Sequence, residues 1–504
     1  MGSLAQGTLT LFGAGLVNRV LGFFYRIILA QRLGSQGMGL LGYAFPVLHV
    51  AITAATAGLP VAVSKIVAER AALNPGRVRE VLRTSLRFVL VLSLVATLGV
   101  VLSLHFLETR VLADPRAVAP LTALLPLLTI VAISSVLRGY FQGLQRMTPS
   151  AVGAVIEQVV RIGSALWLID RFQHQGIAAM AAAAAAGMVA GEFTGLIVLW
   201  ISYLLRPGPA PAPLPPQVHD GTLRELLGQS LPISVTRIIG SITEFLDAAI
   251  IPRRLEASGL TRDAATAFFG NLGGMAMPLL FFPTVITNAL SQALVPAVSD
   301  AWARGDVALV RRRIAQALYI ALVVALPTSA VFVVLGHVLG ILFYGQRQVG
   351  DLLVPLAFAA PLVYLESQVS AVLRGLGRAA LAMTNGLVGS AARLVIVYTL
   401  TVLPGFGIRA VILAIAVDLL ISFYLNYRAL CRVTGYAADL RRLLLPPLVA
   451  GLLLFATLRL WEDLAMRLGA TLWISTLAAI CLGGLVYALV LLLLGGGRHR
   501  FNTL

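Results

Sequence analysis

A chain of 504 residues that is 59% hydrophobic and 12% charged, with a mean hydropathy of +0.92, lies far from soluble composition, where charged residues make up about a quarter. The formal net charge of +17 suggests nucleic acid at first sight, but the arginines are scattered at the ends of apolar segments and form no stripe with interleaved aromatics, which argues against that partner. The composition is that of a polytopic membrane protein whose basic residues orient helices and touch anionic lipid headgroups.

With about 20 apolar residues needed per crossing, the sequence predicts an all-α protein of about fourteen transmembrane helices. They run near 7–30, 38–67, 82–107, 117–140, 150–169, 176–204, 228–251, 265–297, 311–337, 352–375, 380–402, 408–430, 441–460 and 470–494. No Lys or Arg precedes Arg19, so the charged start of a cleavable signal peptide is missing and the first helix is expected to be retained.

Helix 1 contains Asn18-Arg19-Val20-Leu21-Gly22, with Arg26 seven residues after Arg19. The pattern returns in helix 7 as Thr236-Arg237-Ile238-Ile239-Gly240, with Glu244 seven after Arg237. A charge at the centre of a membrane helix costs about 2.5–3.5 kcal/mol even on lenient scales, so matched arginines predict a polar cavity.

Helix 2 offers His49 as its only cavity ion and ends in Gly58-Leu59-Pro60, a break that either bends during gating or is a static kink. Beyond it stands Lys65, the only lysine, followed by Arg70, Arg77, Arg79, Arg83 and Arg87. Basic residues accumulate in alternate loops from here on, which predicts both termini in the cytoplasm, with Arg138, Arg146, Arg374 and Arg378 in cytoplasmic connections.

In helix 5, Glu157 and Arg161 lie four apart and can pair on one face. The segment Arg206-Pro207-Gly208-Pro209-Ala210-Pro211-Ala212-Pro213-Leu214-Pro215-Pro216 cannot be helical and predicts an extended spacer between halves. In helix 7, Asp247 is three residues from Glu244. The two carboxylates either bind Na⁺ or a proton and couple transport to a gradient, or neutralise Arg237 and Arg26. Pro278 and Pro283 interrupt helix 8 as Pro60 interrupts helix 2, again as a gate or as a kink. Glu192, Glu366, Arg393 and Asp418 stand singly in helices 6, 10, 11 and 12, and spacing leaves open whether each lines the cavity or pairs with a neighbour.

Leu137-Arg138-Gly139, Met147-Thr148 and Val152-Gly153 recur at one constant offset as Leu373-Arg374-Gly375, Met383-Thr384 and Val388-Gly389, and Ala62-Val63-Ser64 recurs as Ala297-Val298-Ser299. Two six-helix repeats of equal orientation follow, since six is even, with two further helices after them. The expected organisation is a first lobe over 1–205, a proline-rich cytoplasmic linker over 206–227, a second lobe over 228–432, and helices 13 and 14 with a cytoplasmic tail over 433–504. The last helix has no charged residue from Thr471 to Leu494 and suits lipid, a bound lipid tail, or packing alone. Cys431 and Cys481 are too isolated for a metal site or a disulfide and are expected as small core hydrophobes. There is no phosphate loop and no H-E-x-x-H motif, so enzymatic chemistry lacks support, no metal or cofactor is expected, and coupling to Na⁺ or H⁺ is the only ion requirement foreseen.

Gly58-Leu59-Pro60-Val61-Ala62-Val63-Ser64-Lys65, Gly22-Phe23-Phe24-Tyr25-Arg26 and Gly274-Met275-Ala276-Met277-Pro278-Leu279 resemble the polysaccharide branch of the multidrug/oligosaccharidyl-lipid/polysaccharide exporter superfamily. The resemblance covers nearly the whole chain. It implies a cell-membrane flippase for undecaprenyl-diphosphate-linked saccharide, most plainly the peptidoglycan precursor lipid II, serving cortex peptidoglycan in a spore former and working beside cell-wall synthases. It also implies that Arg19 falls where the related lipid II flippases carry a cavity arginine in helix 1, with Arg26 one residue beyond their second. Arg237, Lys65, His49, Arg161 and Arg393 complete the candidate contacts for the diphosphate and cavity, and Glu244, Asp247, Glu157, Glu366 and Asp418 the candidate coupling or cavity carboxylates. A cation-coupled drug exporter and a non-transporting scaffold of a cell-wall complex are the alternatives.

Overall fold

A computed structural model describes residues 2–56, 58–73, 75–206, 222–468 and 471–494, and every regular element among them is helical. In chain order these are α1 (Gly2–Thr56), α2 (Leu59–Leu73), α3 (Val78–Phe106), α4 (Val118–Gly143), α5 (Thr148–Phe172), α6 (Ile177–Leu205), α7 (Thr222–Ala257) and α8 (Arg262–Phe269). They continue with α9 (Met277–Phe281), α10 (Thr284–Ala303), α11 (Val307–Tyr344), α12 (Gln348–Ala357), α13 (Ala360–Gly375), α14 (Ala379–Leu400), α15 (Gly407–Thr434), α16 (Leu440–Leu468) and α17 (Leu472–Leu493). The chain is a multi-pass membrane protein.

Each expected span falls on helix. Eleven segments are long and apolar enough to cross a membrane, or twelve when α12 and α13, bent by 56° at their junction, count as one. The number is smaller than fourteen for two reasons. Gly13–Leu73 is one run that covers two expected spans, and α7 is too polar to qualify. The first run must fold back, because a straight helix of 55 residues would be about 80 Å long against a hydrocarbon core of about 30 Å. Gly34 makes the break, with φ 64° and ψ −174°, a backbone that a side chain would strain.

The chain packs as two compact units, Met1–Arg253 with Thr261–Gly270, and Arg254–Leu260 with Asn271–Leu504. The expected second lobe begins at 228, whereas α7 up to Arg253 groups with the first unit. Most of the proline-rich segment, 207–221, lies outside the described residues, as does the tail from 495 onward. In the first unit Leu59, Val63 and Ile66 of α2 meet Val78, Leu82 and Val89 of α3, Val136, Leu137 and Tyr140 of α4, and Leu226 of α7. In the second, Leu294 and Val298 of α10 meet Ile314 and Leu318 of α11, Val372 and Leu373 of α13, and Leu430 of α15.

The repeated tripeptides explain why both cores look alike. Lipid is as apolar as leucine, so membrane helices associate by close van der Waals packing, and small residues permit it. A Cβ at Gly139 would stand 2.6 Å from the Pro60 carbonyl, and one at Gly375 would stand 2.8 Å from the Val295 carbonyl. The glycine of each Leu-Arg-Gly therefore seats the helix that carries Ala-Val-Ser, α2 on α4 in one unit and α10 on α13 in the other.

Candidate functional site

The ions of the opening pattern are carried by α1 and α7 of the first unit. Arg19 and Arg26 of α1 and Arg237 of α7 are exposed. Among the described residues, the side chains of Arg19 and Arg237 form no hydrogen bond or ion pair. A permanent cation within a membrane helix and without an acid needs water or an anion beside it.

α7 is tied to the rest of its unit by polar contacts along its length. Arg70 Nη2 donates to Glu225 Oε2 at 3.0 Å beside the buried Leu226. His49 Nδ1 lies 3.0 Å from Glu244 Oε2, Thr53 meets Ser241 at 3.0 Å one turn away, and Arg253 reaches the Leu112 carbonyl at 3.4 Å. Glu244 thus has a histidine partner that the helix 7 spacing did not suggest. Lys65 is exposed on α2 and stands 3.7 Å from Glu69.

Arg161 is only partly exposed. It pairs with Glu157, as the four-residue spacing allows, inside a cluster of four ions. Arg138 Nη2 donates to Glu157 Oε2 at 2.9 Å and to Glu192 Oε1 at 2.8 Å, and Arg161 Nη2 lies 3.6 Å from Glu192 Oε2. Arg138 was expected in a cytoplasmic connection and instead sits within α4, its guanidinium turned onto α5 and α6. Glu192 is likewise paired and not solitary. Two cations and two anions leave the cluster neutral, which permits its burial.

The second unit pairs its ions too. Arg393 Nη1 of α14 lies 3.1 Å from Asp418 Oδ2 of α15, with Ser422 Oγ donating to Asp418 Oδ1 at 3.2 Å. Glu366 accepts from Ser370 Oγ at 2.6 Å and from Asn426 Nδ2 at 3.2 Å, and Asn385 Nδ2 donates to Asn426 Oδ1 at 2.8 Å. Nothing in the sequence pointed to Asn385 or Asn426, because neither carries charge. Cys481, expected in a core, is exposed on α17, where a thiol can face lipid at little cost.

The four bend residues all sit at helix breaks. Gly58, at φ 67°, and Pro60 separate α1 from α2. Pro278 lies in the first turn of α9, which directly follows a π-helical turn over Gly270–Ala276, and Pro283 precedes α10. Just before that turn, α8 docks on α1 and on the connection that leads into α4. Arg116 joins Asp114, at 2.6 Å, to Asp263, while Thr266 Oγ1 donates to Asp114 Oδ2 at 3.3 Å and Tyr43 OH donates to Thr266 at 3.2 Å. Burial pushes the Asp114 carboxyl up, but the hydrogen bonds and charge of Arg116 outweigh it and hold the group below the usual aspartate value. Among the described residues no three His, Cys, Asp or Glu gather to hold a metal ion.

Comparison with known proteins gives a consistent set of likenesses. The polysaccharide biosynthesis protein family matches residues 4–302. Stage V sporulation protein B of Bacillus subtilis (strain 168) is 34% identical over 432 residues, covering 85% of this chain and 83% of its own. The lipid II flippase MurJ of the same organism is 25% identical over 458 residues, covering 86% and 84%. Among solved structures, a lipid II flippase MurJ in an inward closed conformation superposes with a TM-score of 0.71 at 13% identity, over 96% of this chain and 98% of that one. An inward-facing multidrug resistance MATE transporter of the MOP superfamily gives 0.67 at 18% identity, over 83% and 96%. At such identities the structural likeness establishes a common fold.

Proposed function

The chain belongs to the polysaccharide biosynthesis protein family, and we propose that it is a flippase that moves an undecaprenyl-diphosphate-linked saccharide, with lipid II as preferred cargo, from the inner to the outer leaflet by alternating access. The observation that carries this reading is that Arg19 of α1 and Arg237 of α7 are exposed with no acid against them among the described residues. A diphosphate head carries about two negative charges and cannot cross hydrocarbon unless cations replace its water. Arginine suits that task, since its planar fork pairs bidentately with phosphate oxygens and stays charged when partly desolvated. Unpaired cations disfavour a cationic drug as cargo. With both termini in the cytoplasm, the break residues Gly58, Pro60, Pro278 and Pro283 serve as gating bends, and a Na⁺ or proton gradient or the membrane potential supplies the drive, the last worth about 2.3 kcal/mol per charge per 100 mV.

The test is lipid II translocation in proteoliposomes under imposed Na⁺, proton or potential gradients. Each lost charge-assisted pair is worth about 1.5–3 kcal/mol, so Arg19→Ala and Arg237→Ala should each slow movement by about 10- to 100-fold with folding preserved. Full activity in both folded variants would remove these two arginines from the cargo path, and no movement by wild type under any gradient would leave a scaffold of a cell-wall synthase complex as the better reading. Transport of a different lipid-linked glycan in place of lipid II would change the cargo and keep the mechanism.

A further inference from the structure

Beyond the break at Gly34, His49 is the one basic side chain of α1, and it meets an acid. Its Nδ1 stands 3.0 Å from Glu244 Oε2, with the two side chains 52% and 61% exposed. The Thr53–Ser241 contact one turn away fixes the register of the two helices, and the Phe45 ring lies 6.2 Å from the imidazole. The charged groups that accompany the pair on α7 are Arg237, seven residues before Glu244, and Asp247, three after it. Along α1 the charged residues closest in sequence are Arg26 and Arg32, before the break at Gly34, and the first on α2 is Lys65, which turns to Glu69.

We propose that His49 and Glu244 form a proton site linked to binding of the cargo's diphosphate, so that the anionic head is taken by the protonated pair and one proton accompanies it. The inference rests on the flippase reading and deepens it. Imidazole ordinarily titrates near pH 6.5, inside the physiological range, whereas the guanidinium groups of Arg19 and Arg237 never release a proton. An arriving diphosphate attracts the imidazolium and repels the carboxylate. One added proton turns the neutral imidazole into imidazolium, which offsets the Glu244 charge and places a cation beside the phosphates. Whatever binds the protonated state more tightly raises its proton affinity by the same factor. The proton comes from water on the side where the head enters and returns to water where it leaves, and no bond of the cargo changes. A hard cation such as Na⁺ is a poorer occupant, because an imidazole nitrogen suits zinc, copper or nickel.

The experiment measures binding of farnesyl diphosphate to the full chain in detergent between pH 6 and pH 8.5. Titration calorimetry in two buffers of different ionisation enthalpy counts the protons exchanged. Wild type should weaken by up to tenfold per pH unit above the pKa of the pair and take up close to one proton on binding. His49→Gln should bind with only the pH dependence of the ligand's own ionisation and take up no proton from the protein, with Glu244→Gln as the second variant and thermal melting as the check on folding. An unchanged slope and proton count in both folded variants would overturn the inference and leave the flippase reading standing. Failure of wild type to bind the diphosphate at any pH would overturn both.

Discussion

The arginines of this chain fall into two kinds that composition cannot distinguish. Arg19 and Arg237 face outward with no acid against them, while Arg138, Arg161 and Arg393 each meet a carboxylate. A buried ion whose partner is removed is left uncompensated, at a cost of about 3–5 kcal/mol, whereas an exposed pair contributes about 0–1 kcal/mol. Glu157→Ala should therefore lower stability in detergent unfolding by about 3–5 kcal/mol, since it leaves two guanidinium groups on Glu192 alone. Glu69→Ala, which strips Lys65 of its exposed partner, should cost less than about 1 kcal/mol by the same assay. Equal losses would refute the division. The spacing of Glu157 and Arg161 made their contact legible in the sequence. The offset that carries Gly153 to Gly389 carries Glu157 to Arg393, so each unit keeps an ion pair at this place with its sense inverted, and only packing reveals the partner.

At the scale of elements, α5 and α6 show how small residues place charge. Gly187, Gly191 and Gly195 recur every fourth position on α6 and bring it against α5. A Cβ at Gly191 would lie 2.6 Å from the Arg161 Cβ and 2.8 Å from the Glu157 carbonyl, and one at Gly187 would collide with Ala165. This close approach is what lets Glu192 reach the guanidinium groups of α4 and α5. Gly187→Val should cost about 1–3 kcal/mol through overpacking. Gly163→Ala, on a face of α5 with nothing within 4 Å, should be neutral or stabilising by up to about 1 kcal/mol. Thermal melting of the two variants checks this, and equal midpoints would show that the stripe does not set the helix separation.

For the molecule as a whole, the residues that pack together are not always those that follow one another. Thr261–Gly270 belongs to the first compact unit although Arg254–Leu260 before it and Asn271 after it belong to the second, and Asp114 with Arg116 is its anchor. The Asp114 carboxyl is held below its ordinary value, so its contribution to docking is complete above about pH 4 and is lost as the pH falls through the lowered folded value. Hydrogen-exchange protection of 261–270 should stay level from neutral pH to about 4 and then drop, with no such step in Asp114→Asn. A drop already present near pH 6, or one that persists in the variant, would assign the acid response to another group. Membrane class, helix positions, the internal repeat and the arginines of α1 and α7 were determined by the sequence alone, because apolar length and a charge within it are local properties read along one chain. Which ions pair, that His49 meets Glu244, and that α7 and α8 pack with the first unit were decided only by the tertiary structure. These facts depend on distances between residues far apart in the chain, and those distances are set by how closely neighbouring helices can approach.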